Sequence, residues 1–110
     1  MEKVIKTNNK NYIDTLESVL QKRYYKDEYS LHGYQEDALC LEERIDHTWE
    51  IFSGERNLHH FVVLYDSLLL ACLVFIRKMG RTDTDIYEMQ NEFLNALMDD
   101  VDNDISQYAS

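Results

Sequence analysis

The segment from Leu58 to Met79 reads LHHFVVLYDSLLLACLVFIRKM, and its apolar residues decide the predicted fold. Placed at 100° per residue, this segment forms a helix that is apolar over most of its circumference. Gly80 would end the helix, and Arg77 and Lys78 would lie favourably near its C-terminal dipole. A helix of this kind is either the central helix of the core or is covered by a second chain.

Three further segments on either side of this helix carry apolar residues at helical spacing. They run over about 11–26, 34–53 and 84–107, beside the central helix at 58–79. The chain has no proline and only three glycines, which favours long helices over short strands with frequent turns. A single domain of 110 residues is therefore predicted to be an all-α, antiparallel four-helix bundle. Its predicted buried residues are Trp49, Phe52, Phe61, Tyr65, Leu68, Leu69, Phe93 and Leu97.

The charge of the chain is strongly acidic and unevenly distributed. The net charge is −10, and no lysine or arginine follows Thr82. Such a surface repels nucleic acid and anionic lipid and attracts a basic protein. The apolar run within the central helix is only Leu68–Ile76, and Asp66 lies beside it, which argues against a membrane span. We therefore expect a basic protein partner, without direct binding of nucleic acid or membrane.

The two cysteines predict a reducing compartment. Cys40 and Cys72 have no Cys-x-x-Cys spacing, and both stand among apolar neighbours, where a free cysteine behaves as a small hydrophobe. The N-terminal residues also lack the apolar stretch of a signal peptide. These observations predict a cytoplasmic protein.

Motifs that would carry chemistry are weak in this sequence. Asp100 to Asp104 resembles the start of a calcium-binding loop, but Ile105 stands where that loop needs glycine. A stripe on the predicted second helix offers zinc-ligand types, yet it lies opposite the apolar face and so should be solvated. This stripe comprises Glu36, Cys40, Glu43, His47 and Glu50. The sequence has no nucleophile elbow and no glycine-rich phosphate loop. We expect no catalytic residue, no metal and no cofactor.

Four carboxylates support an alternative, enzymatic interpretation. Glu42, Glu43 and Asp46 on one predicted helix and Asp66 on the next resemble the acidic pairs of all-α nucleoside triphosphate pyrophosphohydrolases of the MazG type. The resemblance implies a homodimeric enzyme in which these acids hold magnesium against the substrate phosphates. The sequence departs from the family's second motif, because Val63 stands where a glutamate should precede Asp66 by three residues.

The fourth predicted helix carries the candidate partner-binding face. Glu88, Glu92, Asp99 and Asp102 lie opposite its apolar side, and we expect no basic residue to offset their repulsion. Rows of carboxylates can occupy a phosphate-binding groove, as in phage proteins that block restriction or CRISPR nucleases and in immunity proteins and antitoxins. The predicted function is therefore inhibition or masking of a basic, nucleic-acid-handling protein by electrostatic and steric occlusion. A structural or adaptor bundle is the remaining alternative.

The more polar side of the central helix predicts self-association. Val63, Leu70 and Val74 form an apolar seam on that side. Covering the seam in a two-fold homodimer would remove it from water, whereas burial inside the monomer is the other way to cover it.

Overall fold

The computed structural model describes the backbone of residues 9–109 and the side chains of residues 11–99, and it shows an α/β fold. Four strands form a mixed sheet in the order β1-β2-β3-β4, where β1 and β2 are parallel and the other neighbours are antiparallel. The predicted all-α four-helix bundle is therefore wrong. The elements in chain order are α1 (Asn9–Leu20), β1 (Tyr29–Ser30), β2 (Leu39–Glu43), β3 (Trp49–Glu55), β4 (Leu58–Tyr65), α2 (Leu68–Met79) and α3 (Asp83–Ala109).

The helices differ in how well they match their predicted bounds. The helix predicted at 84–107 is confirmed as α3, and the one at 11–26 ends earlier, at Leu20. Of the helix predicted at 58–79, only the second half is helical. Ser67 is the N-cap of α2, and its hydroxyl accepts a hydrogen bond from the Leu70 amide at 3.2 Å. None of the helices in the described part of the chain is both long and apolar enough to cross a bilayer.

The helix predicted at 34–53 is wrong, because this segment contains β2, a turn and β3. Its apolar residues recur at helical spacing, but the same residues also fit a strand whose two faces are both buried. Leu39 and Leu41 pack on the helix side of the sheet, whereas Cys40 packs on the other side. His47 adopts a φ of 66° in the turn, and the Asp46 carboxylate accepts hydrogen bonds from the Thr48 amide and hydroxyl. This local hydrogen bonding stabilises a turn in place of a helix.

A tight hairpin joins β3 to β4 where the sequence predicted the start of the central helix. Arg56 and Asn57 form a two-residue connection, and both have positive φ, as a type I′ turn requires. Asn57 is therefore a turn residue that precedes β4. Gly54 lies within β3 rather than after a helix, and a Cβ atom there would lie 2.2 Å from the main-chain oxygen of Gln35.

The main core lies between the helices and one face of the sheet. Leu16 and Leu20 of α1, Phe75 of α2 and Phe93 of α3 are fully buried with strand residues such as Ile51. The opposite face carries a small second cluster of Ala38, Cys40 and Phe52, with Tyr34 packed against it. No helix residue belongs to this second cluster, so we call this side of the sheet the open face.

Five of the eight predicted core residues are buried. Trp49, Phe52, Leu68, Phe93 and Leu97 are buried, and Tyr65 and Leu69 pack against the core while partly exposed. The prediction for Phe61 is wrong, because this side chain is 86% exposed on β4. A residue that would face the core of a helix bundle faces solvent here because β4 is the last strand of the sheet.

Candidate functional site

Strand β4 presents an unusual combination of apolar side chains and exposure. It spans eight residues at the end of the sheet, and only its β3 side is paired within the described residues. Its five exposed apolar residues are Leu58, Phe61, Val62, Val63 and Leu64. Exposed edge strands are templates for pairing with another chain, and contiguous apolar patches mark interaction sites. This strand is the strongest candidate for an interaction surface in the described structure.

A β-bulge decides which side chains of β4 reach the open face. The pairing of Ile51 with Val63 changes to Ser53 with His60, so one extra residue is inserted near Phe61, whose φ is 55°. The insertion places His59 opposite Gly54. Without the extra residue the alternation would have placed His60 there, since one residue of register exchanges the two faces.

The bulge brings His59 onto a stack of rings on the open face. Its imidazole lies parallel to the Phe52 ring, with an interplanar angle of 1° and a centroid separation of 3.7 Å. Tyr34 stacks beside both rings, with centroids 5.9 Å from His59 and 6.4 Å from Phe52. Nδ1 of His59 lies 2.7 Å from Oε1 of Glu50, a residue that is only 8% exposed. The histidine therefore provides the hydrogen bond that this largely buried carboxylate needs.

Glu36 connects the loop before β2 to the β3–β4 turn. Its carboxylate accepts hydrogen bonds from the Tyr34 hydroxyl and from the Arg56 amide, the latter at 2.7 Å. These hydrogen bonds, the one from Tyr34 first, lower the pKa of Glu36 below its ordinary value. The Asn57 amide donates to the Tyr34 hydroxyl at 2.7 Å. The loop is thus held over one end of the open face.

Three residues on the open face could together hold a metal ion. Glu42, Glu50 and His59 each offer one ligand atom, and these atoms lie within 4.8 Å of one another. Two carboxylate oxygens and an imidazole nitrogen form a donor set that zinc accepts. Because His59 already forms a hydrogen bond with Glu50, two of the three groups have a polar partner without an ion. Glu42 has no ion-pair partner in the described part of the chain.

The acidic face predicted on the last helix is partly neutralised. Glu92 lies 2.5 Å from Nζ of Lys22 and 3.6 Å from Arg23, which also lies 3.9 Å from Glu88. The expectation that no base offsets these carboxylates is therefore wrong, because the residues following α1 supply the bases. Asp99 is exposed. The side chain of Asp102, the fourth predicted residue, lies outside the described residues.

The three residues of the predicted dimer seam lie on two elements rather than on one helix. Val63 is on β4 and is 41% exposed, whereas Leu70 is on α2 and is 50% exposed. Val74, one helical turn after Leu70, is partly buried and packs against the main core. Two of the three residues thus remain available to a partner.

The arrangements that suggested zinc and magnesium sites are not formed by adjacent helices. Glu42 and Glu43 lie on β2, Asp46 lies in the following turn, and Asp66 comes after β4. The all-α fold implied by the resemblance to pyrophosphohydrolases is contradicted. The zinc stripe is dispersed too, because Cys40 is buried while Glu43 pairs with His47 across the turn at 3.7 Å.

Neither β4 as a strand nor the ring stack on the open face was predicted from the sequence. His59 and His60 were assigned instead to the helix predicted at 58–79. The signals that could have found the strand were the β-branched pair Val62-Val63 and the turn-forming Arg56-Asn57 before it.

Comparison with known proteins identifies no relative. No protein-family model matches the chain, and neither a curated protein nor a solved structure matches it.

Proposed function

We propose that the protein binds a basic, nucleic-acid-handling protein and masks it by electrostatic and steric occlusion. The observation that carries the proposal is β4, an apolar edge strand without lysine, arginine or acidic residues in a chain of net charge −10; within the described residues its outer side is unpaired. Apolar side chains provide contact area for a partner, whereas the surrounding charge determines which partners approach and how fast.

The acidic charge extends to the part of the chain that includes β4. Residues 34–66, which contain β2, β3 and β4, have eight acidic residues and two arginines. With histidine counted as neutral, this region therefore has a net charge of −6. Proteins that bind nucleic acid have basic surfaces that neutralise phosphates, so they complement a region of this charge. Occupying such a surface would exclude the nucleic acid by competition.

The main contact with the partner lies on β4 in this proposal, and not on α3 as the sequence predicted. Glu88 and Glu92 are already engaged by Lys22 and Arg23, so they offer a partner less unbalanced charge than the sequence predicted. Asp99 remains exposed and adds to the overall field. A role as an adaptor without masking activity is the second candidate, and the same exposed strand would serve it.

Photo-crosslinking from β4 in the native host tests the proposal. A photoreactive phenylalanine analogue replaces Val62, and the matched control places it at Met98, an exposed apolar residue of α3. We expect a Val62-dependent adduct with a basic protein, and nucleic acid should compete with formation of the purified complex. The association rate should fall at least tenfold as ionic strength rises from about 0.05 to about 0.5 M. An acidic partner, a salt-independent rate or no adduct above the control would contradict the proposal.

Charge reversal on α3 tests whether that helix is part of the interface with the partner. Glu88→Lys combined with Asp99→Lys should slow association by adding two positive charges to the surface that meets the basic partner. An unchanged association rate in the folded double variant would remove α3 from the interface and leave β4 as the contact. Val62→Lys on β4 is the reference variant. If the charge reversal lowered the affinity more than Val62→Lys does, α3 rather than β4 would be the main contact.

A further inference from the structure

We propose that β4 binds its partner by strand addition, in which an extended segment of the basic partner pairs along the free edge of β4. The segment would be apolar with lysine or arginine at both ends, and it would become the fifth strand of the sheet. This inference rests on the proposed function, because it specifies how the same surface engages the basic partner.

The free edge of β4 lacks most devices that protect edge strands. Natural edge strands are commonly short, contain proline or lysine, or are covered by another element. β4 has eight residues, none of them proline, lysine, arginine or acidic, and no described strand pairs with its outer side. Of these devices, the described part of the chain has the bulge near Phe61. Within the described residues, the outer main-chain groups of β4 are therefore unpaired with another strand.

The β3–β4 turn determines which main-chain groups face outward at the start of β4. In a two-residue type I′ hairpin, the residues flanking the turn, here Glu55 and Leu58, form a hydrogen-bonded pair. The next pair, Gly54 and His59, is then a non-hydrogen-bonded pair. The amide and carbonyl of His59 consequently point away from β3, where an added strand can bind them.

The side chains and charges around β4 indicate the chemistry of the added segment. Val63 points to the helix side, opposite Ile51, and Leu64 points to the open face, opposite Glu50. Both sides of β4 thus offer apolar neighbours for cross-strand pairs. Exposed acids stand at its two ends, Glu55 opposite its first residue and Asp66 after its last. Basic side chains flanking an apolar strand would pair with these carboxylates.

The same charges disfavour a second copy of the chain as the occupant. Pairing β4 with β4 of another copy would bring two sheet regions of net charge −6 together. Like charges across an interface oppose association, whereas a basic segment gains from the same field. A partner strand of opposite charge is therefore the better complement.

Three synthetic peptides of about ten residues, long enough to cover the strand, test the inference. The first is an apolar strand sequence flanked by lysines at both ends, the second is the same peptide N-methylated at every residue of the apolar run, and the third replaces every lysine with glutamate. Fluorescence anisotropy measures their binding to the full chain, and hydrogen exchange by NMR follows the amides of β4. Sedimentation velocity of the chain alone reports its oligomeric state.

Strand addition predicts that only the unmodified basic peptide binds well and protects outward-facing amides, including that of His59. N-methylation should weaken binding at least tenfold, since it removes the main-chain donors along both edges of the peptide. Equal binding of the N-methylated peptide would overturn strand addition but leave the proposed basic partner intact. Equal, salt-independent binding of the acidic peptide would overturn both. No peptide binding, or a dimer of the chain with β4 amides already protected, would also overturn strand addition.

Discussion

Replacing His59 with alanine should destabilise the protein although the residue lies on the solvent side of the sheet. The substitution removes the 2.7 Å hydrogen bond to Glu50 and the parallel stack on Phe52. A hydrogen bond to a charged group contributes about 1.5–3 kcal/mol, and a ring pair adds about 0.5–1.5 kcal/mol. The His59 side chain is 35% exposed, so solvent replaces part of both contributions. We expect a loss of about 2 kcal/mol in the free energy of unfolding.

Urea unfolding followed by tryptophan fluorescence measures this loss directly. Trp49 is the single tryptophan, lies next to Glu50 and is 6% exposed, so its emission reports unfolding of the sheet. His60→Ala is the matched control, because the His60 ring has one contact with a main-chain oxygen, at 3.2 Å, and a tilted approach to Phe61. The control should cost less than about 1 kcal/mol.

A double-mutant cycle assigns the loss to the pair. Glu50→Gln keeps the shape of the side chain but removes its charge, so His59→Ala should cost about 1 kcal/mol less in that background. The assignment of the stability loss to the Glu50–His59 pair would be refuted if His59→Ala lowered the free energy of unfolding no more than His60→Ala does. It would also be refuted if the cost of His59→Ala were the same with and without Glu50→Gln. Either result would mean that solvent already satisfies the Glu50 carboxylate.

Three further predictions concern the thiols, the acidic helix and self-association. Burial raises the pKa of Cys72 to about 12 and also raises that of Cys40, so a thiol reagent at about pH 8 should label neither cysteine until urea unfolds the chain. The hydrogen bond from Lys22 lowers the pKa of Glu92, so its stabilising contribution is present above the ordinary glutamate pKa of about 4.3 and is lost as the pH falls. Unfolding free energies of the wild type and Glu92→Gln should therefore differ by less than about 1 kcal/mol at neutral pH and converge in acid, whereas a constant difference would contradict the pairing. Because two sheet regions of net charge −6 repel each other, light scattering should show the mass of a single chain, unchanged by Leu70→Glu; twice that mass, halved by Leu70→Glu, would place Leu70 and Val63 in a homodimer interface.

The helices were predictable where local signals and apolar spacing agreed. Around α3, the Thr82 hydroxyl accepts the Asp85 amide at 3.1 Å, and Met89, Phe93 and Leu97 recur on one buried side. Near α2, Gly80 ends the helix and its amide donates to Ile76. Both helices are specified by contacts within a few residues, and such contacts are readable from sequence.

The strands were not predictable from the same spacing, because a pattern of apolar residues three or four apart can also satisfy a buried strand. Trp49, Glu50, Ile51 and Phe52 are all buried, since β3 is covered by helices on one face and by the Tyr34 loop and His59 on the other. A strand buried on both faces loses the alternation of polar and apolar residues that identifies it. Glu50 was consequently read as part of a solvated helical stripe.

Local sequence signals were enough to predict the acidic charge, the α3 helix, the end of α2 and the burial of Trp49, Phe52, Leu68, Phe93 and Leu97. Tertiary structure alone decided that Lys22 and Arg23 neutralise Glu88 and Glu92, and that the bulge at Phe61 places His59 over Phe52 beside Glu50. The physical reason is the range of the interactions. Capping and helical periodicity act within one or two turns, whereas ion pairs, ring stacks and strand register join residues that are brought together only when the sheet and helices pack.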